Sequence, residues 1–330
     1  MWKLRFIFIY ASWTALIAVM PAPIRADGSI NGEIFLANGG AARSDGSLIR
    51  THRLSAGIDA VQFLSNESGD WATAALQLRY ANAQNLAMDN RFDNRFIQRN
   101  GDWSAEIHDA YINLRGMNGR ANLRLGRFKT PFGLNPVIDF HTELIPSLAM
   151  SNGIPARRWG ASLNGQLDSF DYEAAVLGGN LRNPLDKKAG EWTASARVQP
   201  YSDGVMQYGL SALWKHQAGE SIQDGEQRAA FDLRTVFFAF NGTIEPRIEL
   251  SVGRKGGKRI FGIEATADRP MDPWRLTLSA RAHQDDAWAI ASLRREFSGG
   301  PFSLAWETAF TQELTDPRRP ALLMLFYTAF

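Results

Sequence analysis

Apolar and polar residues alternate with a period of two along most of the chain. In the segment WRLTLSARAH (274–283), Trp274 and Leu276 share one parity, whereas Arg275 and Thr277 share the other. The same two-faced pattern recurs at 54–60, 71–80, 110–114, 159–164, 192–198, 208–214, 248–252, 261–267 and 302–310. Because successive side chains of a β-strand point to opposite faces, this alternation predicts strands with one apolar and one polar face.

The pattern predicts 16 strands, near 29–39, 49–64, 71–81, 104–115, 121–128, 157–166, 169–179, 192–199, 206–216, 229–240, 246–254, 259–267, 274–284, 287–296, 302–312 and 321–330. Tight turns (NESGD, GMNGR, LDSF, YSDG, NGTIE and SGGP) alternate with longer connections at 40–48, 82–103, 129–156, 180–191, 217–228 and 313–320. RKGGK and HQDD are short where a long loop is expected. A soluble β-sandwich has no reason to sort its connections by length, whereas an outer-membrane barrel does. We therefore predict an all-β protein, a transmembrane antiparallel β-barrel.

The first 26 residues have the plan of a secretory signal peptide. Lys3 and Arg5 precede the apolar run FIFIYASWTALIAVM (6–20), and Ala26 gives a small residue at the cut. The alternative is an N-terminal membrane anchor, but the run is shorter than the ~20 residues that a spanning helix needs. We expect residues 1–26 to be removed and residues 27–330 to form the barrel.

Composition narrows the classes of partner. Removal of Lys3, Arg5 and Arg25 leaves 33 Lys and Arg against 34 Asp and Glu, so the predicted mature chain is not basic and a nucleic-acid partner is not expected. The chain contains no cysteine. An exported protein without disulfides must be held by its core or by its hydrogen-bonded sheet, which agrees with a barrel.

The apolar faces are almost free of charge, as a lipid-facing surface requires. Lys or Arg at mid-bilayer costs about 2–4 kcal/mol. Arg127 is the exception, because it shares its parity with Leu123 and Leu125. A bulge at Gly126 that changes the register is favoured; the alternative is that Arg127 reaches the rim. Aromatic residues near strand ends are typical of the girdles at the membrane interfaces: Trp71, Trp103, Trp192, Trp274 and Trp288.

The connection 129–156, which begins in GRFKTPFGL (126–134), is the candidate for narrowing the pore. A barrel of about 16 strands leaves an aqueous channel unless something narrows it. The loop is rich in apolar residues, which suit packing against the inner wall. The alternative is a disordered surface loop. We predict that this third long loop folds into the lumen and places its charged side chains at a constriction, namely Lys129, Asp139, His141 and Glu143.

Part of the chain, from about 104 to 180, resembles a known family. The stretches EIHDAYINLRGMNGRANLRLGRFKTPFGL, RRWGASLNG and FDYEAAVLGGN resemble the phosphate-selective porin O/P family of Gram-negative outer membranes. The most specific element comprises Gly126, Phe128, Lys129, Pro131, Phe132 and Gly133. The resemblance implies a trimeric, 16-stranded, anion-preferring channel with its third loop inside, and implies that Phe330 serves as an assembly signal. The chain departs from the family in its shorter length and compact loops.

Strand parity predicts which charged residues line the pore. The predicted lining residues are Arg79, Asp109, Arg115, Arg124, Arg158, Arg197, Arg234, Arg275 and Arg281. Further acidic residues share the inward parity: Asp171, Glu173, Asp232, Glu249, Glu264 and Glu307. A ring of arginines alone would select anions, whereas facing charges of both signs create a field across the pore.

Motifs for catalysis or metal binding are not found in the sequence. The histidines are scattered without metal-ligand spacing, and no nucleophile-elbow or phosphate-loop pattern occurs. Ser104 and His108 share a strand face, but many such pairs exist without function. We therefore expect no enzyme activity, no metal and no cofactor. GRKGGKR (253–259) is interpreted either as a solvated hairpin tip or as a contact for lipopolysaccharide phosphates.

These observations predict a bacterial outer-membrane porin that passes small hydrophilic solutes, with a preference for phosphate-like anions. Its expected partners are outer-membrane lipid, lipopolysaccharide, small anionic solutes and two further copies of itself in a homotrimer. One alternative is a channel specific for another small organic solute. The other is a non-conducting barrel that acts as an adhesin or assembly partner.

Overall fold

The described residues form a sheet of strand segments, with one short 3-10 turn at Met117–Gly119. The computed structural model describes residues 25–42, 48–67, 69–84, 103–137, 154, 157–178, 191–200, 205–216, 225–239, 242–284, 286–299, 302–315 and 320–329. The strand segments are β1 (Arg25–Ala42), β2 (Leu48–Asn66), β3 (Gly69–Gln84), β4 (Ser104–Leu114), β5 (Asn122–Lys129), β6 (Arg157–Gln166), β7 (Phe170–Gly178), β8 (Trp192–Pro200), β9 (Met206–His216), β10 (Glu226–Thr235), β11 (Phe237–Ala239), β12 (Gly242–Lys255), β13 (Lys258–Met271), β14 (Trp274–His283), β15 (Asp286–Gly299), β16 (Phe302–Glu313) and β17 (Pro320–Ala329).

The sheet closes on itself. Each strand pairs antiparallel with its neighbours in sequence, and β1 pairs with β17 from Glu33 opposite Ala329 to Ala41 opposite Ala321. β10 and β11 are two parts of one strand, interrupted at Val236, and both pair with β12. The prediction of a 16-stranded antiparallel barrel is confirmed, and closure leaves no unpaired sheet edge.

The two faces of the barrel follow the alternation in the sequence. Large apolar side chains of one parity are exposed, such as Leu210, Phe231 and Leu250, while the polar residues between them are buried, such as Ser211 and Asp232. An apolar outer face with a polar inner face is the arrangement of a barrel in a lipid bilayer. Trp288 corrects the predicted girdle, because it is buried and stands opposite the inward-facing Arg281.

The connections are sorted by length between the two ends of the barrel, as predicted. Antiparallel order places the turns after β2, β4, β6, β8, β11, β13 and β15 at one end, called here the short-turn end. The hairpin between β12 and β13 lies at the other, long-loop end. Its Gly256 and Gly257 have φ of +54° and +74°, and Lys255 pairs with Lys258 across them. Two consecutive left-handed residues make a type I′ turn, so the predicted tight hairpin at 253–259 is confirmed.

The predicted bulge at Gly126 is wrong in its position. β5 pairs residue by residue with β4 and with β6, without a shift of register. The extra residue lies in β4, since Leu76 pairs with Ala110 and Leu78 with Ile107. The bulge therefore lies in β4, one strand before the strand that contains Gly126.

Arg127 reaches this bulge instead of the barrel rim. Gly126 has φ of +130°, which breaks the alternation and leaves both Arg127 and Phe128 buried. Arg127 Nε donates to the carbonyl oxygen of His108 at 3.0 Å. Because a β-bulge takes backbone groups out of the regular ladder, the carbonyl oxygen of a bulged residue can accept a side-chain donor.

The start of β1 can be compared with the predicted end of the signal peptide. β1 begins at Arg25, two residues before the predicted cleavage position. The signal peptide itself lies mainly outside the described residues and stays a prediction. Within the parts of the chain that the structure covers, no helix is long and apolar enough to span a membrane.

Candidate functional site in the barrel interior

The start of the third long loop binds strands that are not its neighbours. Residues 130–137, called here the crossing segment, follow β5, whose neighbours in the sheet are β4 and β6. The hydroxyl group of Ser195 on β8 donates to the Pro131 carbonyl oxygen at 2.8 Å. Arg197 Nε, also on β8, donates to the Gly133 carbonyl oxygen at 3.0 Å. The segment is therefore tied to a wall of the barrel three strands away from β5.

Two backbone N–H groups of the crossing segment continue these contacts. Gly133 N–H donates to the Ser211 hydroxyl oxygen on β9 at 3.0 Å, and Leu134 N–H donates to Glu249 Oε2 on β12 at 2.9 Å. Ser211 is the sixth of the 11 residues of β9, and Glu249 the eighth of the 14 of β12. The contacts thus lie near the middle of these strands rather than at their ends.

The local sequence explains the tight path of the crossing segment. Phe132 N–H donates to the Thr130 carbonyl oxygen at 2.9 Å, and Asn135 Nδ2 donates to the same oxygen at 2.8 Å. Gly133 has φ of +55°, a left-handed conformation that favours glycine. A Cβ atom at Gly133 would lie 2.5 Å from the carboxyl carbon of Glu249. Glycine is therefore required both by the backbone and by the close approach to β12.

A small apolar cluster anchors the crossing segment. Phe132 is fully buried and packs with Ile154, Leu213 and Ala230. Leu213 and Ala230 belong to β9 and β10, whereas Ile154 belongs to the far end of the same loop. Truncation of a buried Phe typically costs about 3–5 kcal/mol, so this contact is a major part of the attachment. Both ends of the loop meet at one place on the wall.

Beneath the crossing segment, charged side chains form a row across neighbouring strands. Asp232 on β10 stands opposite Glu249, Glu249 opposite Glu264 on β13, and Glu264 opposite Arg281 on β14. Arg281 pairs with Glu264 at 2.9 Å. At the other end of the row, Arg197 pairs with Asp232 at 2.6 Å. Three carboxylates thus lie side by side between two arginines.

Arg197 can reach Asp232 because the residue between them is a glycine. Gly209 on β9 stands opposite Asp232, and a Cβ atom there would lie 2.4 Å from Nη2 of Arg197. The same guanidinium donates to Gln199 at 2.7 Å and to the crossing segment. Arg197 therefore links the loop, its own strand and β10.

Glu249, in the centre of the row, has no basic partner among the residues that the structure describes. Among the described residues, no basic side chain lies within 4 Å of its carboxylate, and its Oε1 atom is buried without a hydrogen-bond partner. The side chain is 1% exposed. Burial of a carboxylate is costly unless it is hydrogen-bonded, so the N–H group of Leu134 is its main compensation.

The predicted lining residues are members of ion pairs rather than a ring of free arginines. The pairs, each with the predicted lining residue first, are Arg79 with Glu33 and with Asp59 (2.6 Å), Asp109 with Arg157 (2.9 Å), Arg115 with Asp70 (3.7 Å), Arg124 with Glu173 (2.9 Å), Arg158 with Glu191, Arg197 with Asp232, Arg234 with Glu245 (3.3 Å), Arg275 with Glu296 (3.9 Å) and Arg281 with Glu264. Arg115 follows the end of β4 and its side chain is half exposed. The buried pairs contribute fields across the interior but little net charge.

The predicted constriction residues are only partly covered. Lys129 is the last residue of β5 and stands opposite Arg157 on β6. Asp139, His141 and Glu143 lie outside the described residues. Their place in a constriction therefore stays a prediction.

Glu191, immediately before β8, holds two cations at the long-loop end. Arg158 pairs with it, and Lys215 Nζ lies 3.2 Å from its Oε1. Burial acts to raise the pKa of Glu191, but Arg158 and then Lys215 lower it, so the net direction is below the ordinary value of 4.5. Glu191 is ionised at neutral pH and fixes the start of β6 to β8 and β9.

Sequence reasoning missed several partners in this interior. Ser195 and Ser211 sit on the inward parity of β8 and β9, and small hydroxyl residues in an alternating strand were the available signal. Arg157 and Glu33 fell at the ends or in weak parts of predicted strands. The role of the Leu134 N–H group had no sequence signal, because a backbone donor is present at every residue except proline. In the part of the chain that the structure describes, no group of three metal-ligating side chains occurs.

A closed antiparallel barrel with an apolar outer face and a polar interior is the architecture of an outer-membrane barrel protein. The chain belongs to the phosphate-selective porin O and P family, whose family model matches residues 67–247. That match includes the crossing segment, the strands β8, β9 and β10 that it contacts, and the first residues of β12.

Solved structures support the fold. OprB of Pseudomonas putida is 12% identical, with a TM-score of 0.62 over 92% of this chain and 94% of that one. An anion-selective porin from Comamonas acidovorans is 12% identical, with a TM-score of 0.57 over 93% and 100%. A loop-deletion mutant of Vibrio cholerae OmpT is also 12% identical, with a TM-score of 0.52 over 92% and 99%. Comparison with curated protein sequences gives no significant match.

Proposed function

We propose that this porin is a passive diffusion channel for small hydrophilic solutes with a preference for phosphate-like anions. In this proposal the loop 129–156 lies in the lumen and sets its narrowest point. The observation that carries the proposal is the attachment of the crossing segment to the middle of β9 and β12, through Ser211 and Glu249. A segment held at mid-height leaves less free width for a solute than an empty barrel of this strand number.

Cations at the base of the loop support the anion preference. Lys129 and Arg157 stand opposite each other in the ladder between β5 and β6, next to Phe128 and Arg158. Arg124 and Arg127 precede them on β5. Five basic side chains thus lie on β5 and at the start of β6, and three of them, Arg124, Arg157 and Arg158, have carboxylate partners. In this proposal the excess of positive charge at the base of the loop raises the local concentration of anions. The likeness in fold to a porin described as anion-selective agrees with this.

The assembly and the membrane partners belong to the same proposal. We infer export through a cleaved signal peptide at 1–26 and a homotrimer in the outer membrane. Arg254 and Arg259, on the exposed parity of the hairpin at the long-loop end, would meet the phosphates of lipopolysaccharide. These inferences rest on the family and on the orientation that its short turns and long loops imply.

The test is a planar-bilayer recording of the purified barrel under a gradient of KCl, repeated with phosphate added. An anion-sided reversal potential with phosphate block supports the proposal. Current with cationic or weak selectivity refutes the anion preference and favours a channel for another solute. A folded barrel without current favours the adhesin or assembly role.

A charge variant locates the selectivity. We expect Lys129→Gln combined with Arg158→Gln to move the reversal potential toward the cation side, while Glu191 keeps Lys215 as its partner. The matched control is Lys258→Gln on the exposed hairpin at the same end of the barrel, which we expect to leave the reversal potential unchanged. Equal shifts in the two variants would show that the base of the loop does not set the selectivity.

A further inference from the structure

An arginine on β15 lies on the lipid-facing side of the barrel. Arg295 on β15 falls between Leu293 and Phe297, which are 37% and 41% exposed on the outer face. It stands opposite Trp274 on β14 and opposite Trp306 on β16. Three neighbouring strands therefore place a tryptophan, an arginine and a tryptophan side by side toward the membrane.

Aromatic rings hold the guanidinium of Arg295. Its Cζ atom lies 5.1 Å from the ring centroid of Trp274 and 4.5 Å from that of Phe297. Trp274 and Trp306 meet edge to face, with centroids 6.1 Å apart and an interplanar angle of 74°. Trp274, Phe297 and Trp306 are called here the aromatic cage, and the ring faces of Trp274 and Phe297 attract the cation.

The cage supplies no anion. The inward neighbour Arg294 has Glu296 at 2.7 Å and Glu307 at 3.7 Å. For Arg295, in contrast, no described carboxylate lies within 4 Å, and its Nε atom is buried without a hydrogen-bond partner. A partly buried guanidinium needs acceptors for its donors. The guanidinium of Arg295 therefore faces lipid without a carboxylate partner among the described residues.

The height of Arg295 agrees with the level of the lipid head groups. It precedes Gly299, the end of β15 at the short-turn end, by four residues. That separation is about 13 Å along the strand and roughly 10 Å along the membrane normal after the strand tilt. Short turns of outer-membrane barrels face the periplasm. Arg295 therefore lies at the interface of the periplasm-facing leaflet, which is built of phospholipids.

We propose that Arg295 and the aromatic cage form a binding site for the phosphodiester group of a phospholipid in the periplasm-facing leaflet. The guanidinium presents parallel N–H donors that match two phosphate oxygens. The rings of Trp274 and Trp306 pack against the glycerol and the upper acyl chain. The site is on the outer surface and does not depend on the selectivity proposed for the pore.

Native mass spectrometry of the full barrel in a non-ionic detergent tests the site. The lipid is phosphatidylglycerol, compared with a diacylglycerol of the same acyl chains that lacks the phosphate. We expect the wild-type barrel to retain phosphatidylglycerol and not diacylglycerol. Arg295→Leu is expected to weaken retention about tenfold or more, since charged hydrogen bonds are lost. Arg295→Lys keeps the charge without the planar fork and is expected to give an intermediate value.

Two controls keep the result interpretable. Arg120→Leu removes an exposed arginine from the turn between β4 and β5, at the same end of the barrel but away from the cage, and is expected to retain the lipid as the wild type does. The heat-dependent shift in gel mobility of a folded barrel shows whether each variant has folded. If Arg295→Leu does not fold, Arg295→Lys is the variant that tests the site. Equal retention by wild type and the Arg295 variants overturns the proposal. Retention of diacylglycerol, or displacement of the lipid by millimolar inorganic phosphate, overturns the assignment to a phospholipid.

Discussion

The backbone N–H group of Leu134 donates to Oε2 of Glu249 at 2.9 Å. Glu249 is the central carboxylate of a row that also contains Asp232 and Glu264, and it has no cation of its own among the described residues. The bond therefore connects the start of the third loop to the one carboxylate of that row that lacks an arginine. The attachment of the loop depends in part on it, together with three further hydrogen bonds and the cluster around Phe132.

Substitution of Glu249 tests this dependence. Glu249→Gln keeps the shape of the side chain and an acceptor oxygen for Leu134 N–H, so we expect wild-type single-channel conductance. Glu249→Leu removes the acceptor, which costs about 1–3 kcal/mol because a buried N–H group is left unpaired. We expect a larger and noisier open-channel current from that variant. Identical recordings from Glu249→Leu and wild type would show that the bond does not hold the loop.

Gly133 and Gly256 offer a matched pair of substitutions. Both have φ near +55°, but a Cβ atom would contact the Glu249 carboxylate at Gly133 and nothing within 4 Å at Gly256. Alanine at either position takes on the strain of a left-handed backbone, about 1–2 kcal/mol. We expect Gly133→Ala to lower the urea midpoint of unfolding more than Gly256→Ala, because only Gly133→Ala also displaces the loop.

A second substitution separates the two effects at Gly133. Adding Glu249→Ala to Gly133→Ala removes the carboxyl group that the new Cβ atom would meet. We expect this double variant to be less destabilised than the sum of its single variants, since the two residues are in contact. Strict additivity would mean that the close approach has no energetic consequence.

The pKa of Glu191 predicts one pH dependence. Its folded value lies below the ordinary value of 4.5, so its carboxylate contributes stability that is fully present above pH 4.5. That contribution is lost as the pH falls through the lower, folded pKa. We expect Glu191→Gln to be less stable than wild type at pH 7 and to approach wild type in strong acid, measured by unfolding in urea. A constant difference between the two proteins from pH 7 to pH 3 would contradict the assignment.

The sequence predicted the barrel well because its signals are local. A period of two is repeated in every strand, and it reports which side chains face lipid, as at Trp274 and Leu278. The sorting of connections by length was likewise visible in order along the chain, and the type I′ turn at Gly256 and Gly257 follows from two adjacent glycines. Arg79, Arg197 and Arg281, which parity assigns to the inner face, are buried.

The partners of those arginines were decided only by the closed sheet. Arg197 meets Asp232, 35 residues later, because the register places Gly209 between them. The bulge in β4 was misplaced for the same reason: an extra residue in a ladder is a property of two strands, and Gly126 belongs to only one of them.

By itself, then, the sequence determined the strand number, the orientation of the faces and the place of the long loop in the order of elements along the chain. The tertiary structure alone decided that Leu134 meets Glu249, that Phe132 packs between β9 and β10, and that Arg295 lacks an anion. The physical reason is distance along the chain. Alternation is set by the neighbours of each residue, whereas hydrogen bonds and ion pairs in a barrel depend on register and closure summed over all its strands.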